Sequence, residues 1–243
     1  MFEVIEGRNA VLESLRSGVT LTRVLIAEGA RPNAALEEIR RLAAEARVPV
    51  ITVPRRELDD RTVRGAHQGV VAEAGVFRYA VLDDVLRATR ERERALVVVL
   101  DHVTDPGNLG AVIRTVEVAG GDAVLVPRER AASVGPIVHK ASAGATAYLP
   151  VVQVPNMAQA LETLKRAGFW VAGADERAPE DLWHAPIAGR LAFVLGAEGA
   201  GLARLTRERC DFLVSIPVVG RVPSLNVAQA ASVLAFEWVR RGV

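Results

Sequence analysis

The run Ala95-Leu-Val-Val-Val-Leu100 constrains the fold more than any other stretch of the chain. Six consecutive apolar residues, three of them β-branched, leave no polar face, as expected of a strand covered on both sides within a parallel sheet. Residues 123–126, 169–174, 191–195 and 212–216 repeat the pattern. Between them lie helical spacings: Leu109, Val112, Ile113 and Val116; Met157, Leu161 and Leu164; then Val227, Ala230, Ala231, Leu234 and Trp238. Strand and helix alternating in this way predict an open, mostly parallel α/β sheet from residue 95 onward.

The front of the chain reads as a smaller α/β unit. Asn33 caps a helix with Leu36, Ile39 and Ala43 on its apolar face, and residues 23–27, 50–53 and 70–74 read as strands. Between the two halves, Asp83, Asp84, Glu91 and Glu93 interleave with Arg87, Arg90, Arg92 and Arg94, a charge-dense amphipathic stretch that reads as an interdomain helix or linker. The expected organisation is a small domain at 1–77, a linker at 78–94 and a large domain at 95–243. With 243 residues, half of them hydrophobic, both domains can bury a core.

Cys210 is the only cysteine, which predicts a reducing, cytoplasmic setting. The two acids among the first six residues predict no signal peptide. The longest uncharged run, 141–161, contains Gly144, Pro150, Gln153, Pro155 and Asn156 and is unsuited to a bilayer. His67, His102, His139 and His184 are scattered without metal-ligand spacing, so no metal is expected. No G-x-S-x-G motif marks a serine nucleophile. The 30 basic residues comprise 28 Arg and 2 Lys, Lys140 and Lys165. Such a skew suits recognition of phosphate and bases, but a biased genome or a heat-adapted host produces it equally well. The net charge of +1 does not separate these explanations.

In parallel sheets, ligands bind beyond the carboxyl ends of the strands, so the loops after residues 100, 195 and 216 hold the candidate chemistry. The first, from Asp101 to Arg114, runs through Asp105-Pro-Gly-Asn108 into a helix, with Asn108 at the expected N-cap. Arg114 lies off the apolar face, where it could act on a ligand or pair with Glu117. The second, Leu195-Gly-Ala-Glu-Gly-Ala-Gly-Leu202, has glycines that let backbone approach a flat ligand, but neither dinucleotide nor Walker spacing. The third, from Ile216 to Ala228, has two prolines, one glycine and several apolar residues, as an ordered adenine pocket would. In it, Asn226 and Gln229 also read as a helix-capping pair.

Taken in order, Asp105-Pro-Gly-Asn-Leu-Gly-Ala-Val-Ile-Arg-Thr115, Phe193-Val-Leu-Gly-Ala-Glu-Gly-Ala-Gly-Leu202 and Ile216-Pro-Val-Val-Gly-Arg-Val-Pro-Ser-Leu-Asn-Val-Ala228 resemble the three motifs of the SpoU (TrmH) RNA ribose 2′-O-methyltransferases. These enzymes belong to the SPOUT superfamily. The front half, through Val4-Ile-Glu-Gly-Arg-Asn-Ala-Val-Leu12 and His67-Gln-Gly-Val70, resembles the ribosomal-protein-like substrate-binding domain of the ribosomal-RNA branch. The resemblance implies a trefoil-knotted C-terminal domain, a homodimer and S-adenosylmethionine as cofactor. It places the cofactor against Leu195, Gly196, Glu198, Gly199, Ile216, Val218, Ser224 and Leu225. It also implies that Arg114 activates the ribose, that Asn108, Ser224 and Asn226 orient Arg114 and the ribose, and that Glu198 fixes the glycine loop or pairs with an arginine. Gly107 and Val218 depart from the larger polar residue and the Met common at these positions. Arg8, Arg55, Arg56 and Arg64 are candidate RNA contacts of the front domain.

The expected function is therefore methylation of a ribose 2′-hydroxyl in structured RNA, most readily large-subunit ribosomal RNA. Two alternatives stay open on the sequence. One is an RNA-binding or ribosome-assembly protein with a vestigial pocket; the other is an antibiotic-resistance methyltransferase acting on a different ribosomal nucleotide.

Overall fold

The computed structural model describes residues 2–16, 19–62, 67–75 and 77–242, with the side chains of residues 2 and 3 excepted. The chain divides into two compact units, Met1–Arg78 and Tyr79–Val243.

The first unit is built on strands β1 (Phe2–Glu6), β2 (Leu21–Ala27), β3 (Val50–Val53) and β4 (Val70–Gly75), in the order β1-β4-β2-β3. β4 runs antiparallel to both β1 and β2, while β2 and β3 are parallel. Alternation along β2 sends Val24 and Ile26 to one face and Leu25 and Ala27 to the other. Helices α1 (Arg8–Arg16) and α2 (Ala34–Glu45) cover the first face with Val11, Leu12, Leu36 and Ile39. α3 (Arg55–Arg61) covers the second through Leu58. Asn33 caps α2 by accepting the Leu36 N–H at 3.0 Å, as its position predicts.

In the second unit, β5 (Ala95–Asp101), β6 (Ala123–Pro127), β7 (Val151–Val154), β8 (Trp170–Ala174), β9 (Arg190–Gly196) and β10 (Phe212–Val214) form one sheet, ordered β10-β8-β9-β5-β6-β7. Every pairing in it is parallel. All seven residues of β5 are buried, because its unbroken apolar run meets helices on both faces. On one face α4 (Leu82–Thr89) and α7 (Met157–Arg166) bring Val85, Met157, Leu161 and Leu164 against Val97, Val99, Leu125 and Val194. On the other, α5 (Pro106–Val118) and α9 (Val227–Arg240) pack together, burying Leu109, Val112, Ile113, Val116, Leu234 and Trp238. Gly110 lets α6 (Pro136–Ala141) approach α5 closely, since a Cβ there would lie 2.8 Å from the Val138 carbonyl.

Residues 78–94, expected as a linker, carry α4, whose Val85 belongs to the core of the second unit; Ala80 also bridges to Val152. Asp83, Asp84 and Arg87 lie on the outer face of that helix, whereas the charges from Arg90 to Arg94 belong to the turn that follows it, with Arg94 stacked on Trp238. Beyond β10 the chain passes along residues 215–226 to α9, so segments on both sides of the glycine loop come together at one end of the sheet. Among the described residues, no helix is long and apolar enough to cross a membrane.

Candidate active site

The chain leaves β5 toward β6 on one side, whereas β9 lies on the other, so the loops after β5 and β9 adjoin at the point where the strand order reverses. Asp101 and Gly196, the last residues of these strands, are register partners. Gly196 is compulsory on steric grounds: a Cβ there would meet the backbone of Gly201 and Leu202 well inside 3.0 Å. The loop folds back through an Ala197–Gly201 bridge, with Gly199 and Gly201 at φ of +78° and +68°. Its far end is fixed by Asp101, which is fully buried; Oδ2 accepts the Ala203 N–H at 2.8 Å, and Oδ1 lies 2.6 Å from His102 Nδ1. No local sequence pattern marks Asp101 for this role, in which a buried carboxylate is satisfied by loop backbone on one oxygen and an imidazole on the other.

The expected N-cap of α5 needs correction. Asp105, not Asn108, caps the helix, accepting the Asn108 N–H at 2.7 Å, because Pro106 takes the first helical position ahead of the expected cap. The Asn108 side chain is thereby free to act elsewhere. Its Nδ2 donates to Glu198 Oε1 at 3.0 Å, while Asn226 Nδ2 donates to the same oxygen at 2.6 Å and to Asn108 Oδ1 at 3.0 Å. Asn226 Oδ1 accepts the Ala228 N–H at 2.9 Å and so caps α9 at the same time. No bond returns from Gln229 among the described residues, so the expected capping pair is a single cap. Glu198 therefore holds two amides rather than an arginine, and the three loops are tied at one carboxylate.

Beside this clamp lies a cavity of about 310 Å³ at the carboxyl ends of β8, β9 and β10. Leu195, Gly196, Glu198, Gly199, Ile216, Val218, Ser224 and Leu225 all line it. Its size falls within the about 300–1,000 Å³ usual for small-molecule sites. Apolar side chains beside open glycine backbone suit a flat base, and a carboxylate at the margin suits a sulfonium. The residues present thus fit S-adenosylmethionine. Asn108, Asn226 and Arg114 do not line the cavity, although the first two adjoin it through Glu198. Arg114 is exposed on α5 and, among the described residues, bonds neither Glu117 nor Asn108, Ser224 or Asn226. The expected orienting bonds to Arg114 are not found among the described residues.

In the first unit, Arg55 and Arg56 are exposed at the start of α3, and Arg8 Nε donates to the Gln68 carbonyl at 3.1 Å. Arg64 lies outside the described residues. No group of three or more His, Cys, Asp or Glu residues that could hold a metal occurs among the described residues. Burial pushes the Cys210 thiol up to about 12, which disqualifies it as a nucleophile.

Comparison with known proteins gives the same picture at the level of the whole chain. A family model described as the SpoU rRNA methylase family matches residues 95–236, and one described as RNA 2′-O ribose methyltransferase substrate binding matches residues 4–80. The 23S rRNA (guanosine-2′-O-)-methyltransferase RlmB of Pseudomonas putida is 45% identical over 222 residues, covering 90% of this chain and 88% of its own. The putative TrmH family tRNA/rRNA methyltransferase YacO of Bacillus subtilis is 39% identical over 240 residues, covering 98% and 96%. Among solved structures, the SpoU methyltransferase AviRb from Streptomyces viridochromogenes, in complex with AdoMet, superposes with a TM-score of 0.72 at 28% identity, covering 99% of this chain and 90% of that one. With its three loops drawn to one carboxylate beside a cavity, and with both halves matched, the chain belongs to the SpoU family of rRNA methylases and is a methyltransferase.

Proposed function

We propose that the protein transfers a methyl group from S-adenosylmethionine to a ribose 2′-hydroxyl of structured RNA, with large-subunit ribosomal RNA as the substrate. The observation that carries this reading is the shared bond to Glu198: two asparagines, 118 positions apart, converge on it beside a cavity lined by all eight residues expected to hold the cofactor. The 45% identity to a 23S rRNA (guanosine-2′-O-)-methyltransferase supports the RNA class.

When bound, S-adenosylmethionine supplies an electrophilic methyl on a sulfonium that departs as a neutral thioether. The rest falls to the protein. A ribose hydroxyl is a weak acid, so its oxygen must be held in line with the methyl and relieved of its proton as the bond forms. Arg114 cannot accept that proton, since a guanidinium stays charged. It acts instead as a fixed cation that stabilises negative charge developing on the oxygen, while an RNA phosphate accepts the proton. Asn108 and Asn226, held by Glu198, fix the edge of the cavity against which the ribose is placed, with Ser224 beside them.

A homodimer belongs to the proposal. Arg114 projects from α5 outside the cavity wall, and Val118, one helical turn further on, is 63% exposed; Phe236 on the adjoining α9 is 47% exposed. An exposed apolar pair beside an arginine has the composition of an interface. A second copy docked there would enclose Arg114 and give it the partners it lacks in one chain. The first unit would contribute RNA contacts through Arg8, Arg55, Arg56 and Arg64.

The direct test incubates the protein with labelled S-adenosylmethionine and unmodified ribosomal RNA, then maps the label. Incorporation at one ribose 2′-oxygen is expected; label on a base, or none on any RNA while the cofactor binds, would overturn the reading.

A further inference from the structure

The cavity has one wall that the chemistry above leaves unused. At the end of β8 and on α8 (Arg204–Glu208), Asp175, Glu176, Arg177 and Arg207 line it, two carboxylates and two guanidinium groups together. Asp175 is well fixed: its side chain is 16% exposed, Oδ1 accepts the Arg177 N–H at 2.8 Å, and Oδ2 lies 3.1 Å from Arg207 Nε. Its own N–H donates to the Val214 carbonyl, tying it to β10. Arg207 thus meets Asp175 through Nε. Among the described residues its Nη1 and Nη2 have no hydrogen-bond partner, which leaves a donor pair with the geometry of a carboxylate fork.

We propose that this wall binds the amino-acid end of S-adenosylmethionine, the α-carboxylate on the Nη fork of Arg207 and the α-ammonium on Glu176, with Asp175 as the residue that aims the fork. The inference rests on the cofactor reading given above. The cofactor has three chemically distinct parts, and the cavity has three matching surfaces. Leu195, Ile216, Val218 and Leu225 suit the base, Glu198 suits the sulfonium, and only the 175–207 wall carries both signs of charge, as a zwitterion requires. Carboxylates alone would serve a ribose diol, but the guanidinium fork would then have nothing to bind.

The test measures binding rather than turnover. S-Adenosylhomocysteine keeps the amino-acid end and has no methyl to transfer; 5′-methylthioadenosine keeps the base, ribose and thioether and lacks the amino acid. Calorimetry compares both ligands on the full chain, on Arg207→Gln and on Arg207→Lys, with thermal melting to report folding. The expected result is a loss of about tenfold or more for S-adenosylhomocysteine in Arg207→Gln, the scale of one charge-assisted hydrogen bond. Methylthioadenosine should change less than twofold, and Arg207→Lys should fall between, keeping the charge without the fork. Equal losses for both ligands would overturn the proposal, because Arg207 would then be shaping the cavity or reading the ribose; so would no loss for either. Failure of the unaltered protein to bind either ligand would overturn the cofactor reading itself, and the proposal with it.

Discussion

Gly196→Ala should damage the site more than any other single methyl group added to the cavity wall. The new Cβ would meet the Gly201 carbonyl group and the Leu202 nitrogen well under 3.0 Å, whereas ordinary contact begins near 3.4 Å. All the atoms it meets are backbone, so no rotamer change relieves the clash. The loop must retreat by roughly 1 Å, and such overpacking costs about 1–3 kcal/mol. For a unit of this size that corresponds to a fall in melting temperature of roughly 2–12 °C. The functional loss should be larger in proportion. Glu198 rides on the same loop, and its bonds of 2.6 and 3.0 Å to Asn226 and Asn108 do not survive a displacement of that size. A shift near 1 Å at a binding wall can cost up to about a hundredfold, so S-adenosylhomocysteine affinity should drop at least tenfold by calorimetry. A Gly196→Ala protein that melts within 1 °C of the parent, by rough estimate from the same scaling, and binds equally well would refute the argument that this glycine exists for close backbone approach.

Three further outcomes follow from other parts of the molecule. Arg114→Ala should abolish methyl transfer to RNA while leaving S-adenosylhomocysteine affinity within about twofold, since only the transition state loses an interaction; full activity would remove Arg114 from the mechanism. Glu237 is buried, and the Arg240 guanidinium, with Arg241 beside it, holds its carboxyl down at about 2 against a usual 4.5, so its contribution to stability is present above pH 4.5 and fades as the pH falls toward 2. Melting curves across that window should show a steeper decline for the parent than for Glu237→Gln, and parallel declines would contradict the assignment. Cys210, its thiol raised by burial to about 12, should resist iodoacetamide at pH 8 in the folded protein and react on unfolding. Rapid alkylation of the native protein would count against that burial.

The parts of the fold that the sequence made legible are those where burial is two-sided. The run ending at Leu100 belongs to a strand whose seven residues are all buried, and the Leu191 strand beside it is nearly as plain. β1 and β7 leave no such mark: β1 mixes Phe2, Val4 and Ile5 with Glu3 and Glu6 so that neither alternate set is apolar throughout, and β7 has four residues between Pro150 and Pro155. β10, at the edge of the sheet opposite β7, stops at Val214, short of the expected Ile216. The loops carrying the site are recognisable by their glycines, prolines and asparagines. Their meeting is not, because Glu198 lies 90 positions from Asn108 and 28 from Asn226, distances over which no periodicity speaks. The role of Asp101 and the Asp175–Arg207 wall escape local reading for the same reason: each becomes visible only when strands distant in sequence are laid side by side.

Asn226 serves two masters, heading the final helix while gripping the carboxylate of a loop made earlier in synthesis. A polypeptide still emerging from the ribosome can set down β5, α5 and the glycine turn in sequence, yet its cleft stays open on one side until Val227–Arg240 arrives and settles. Competence thus waits on that helix. A copy cut short before that helix would be a scaffold with no donor to give.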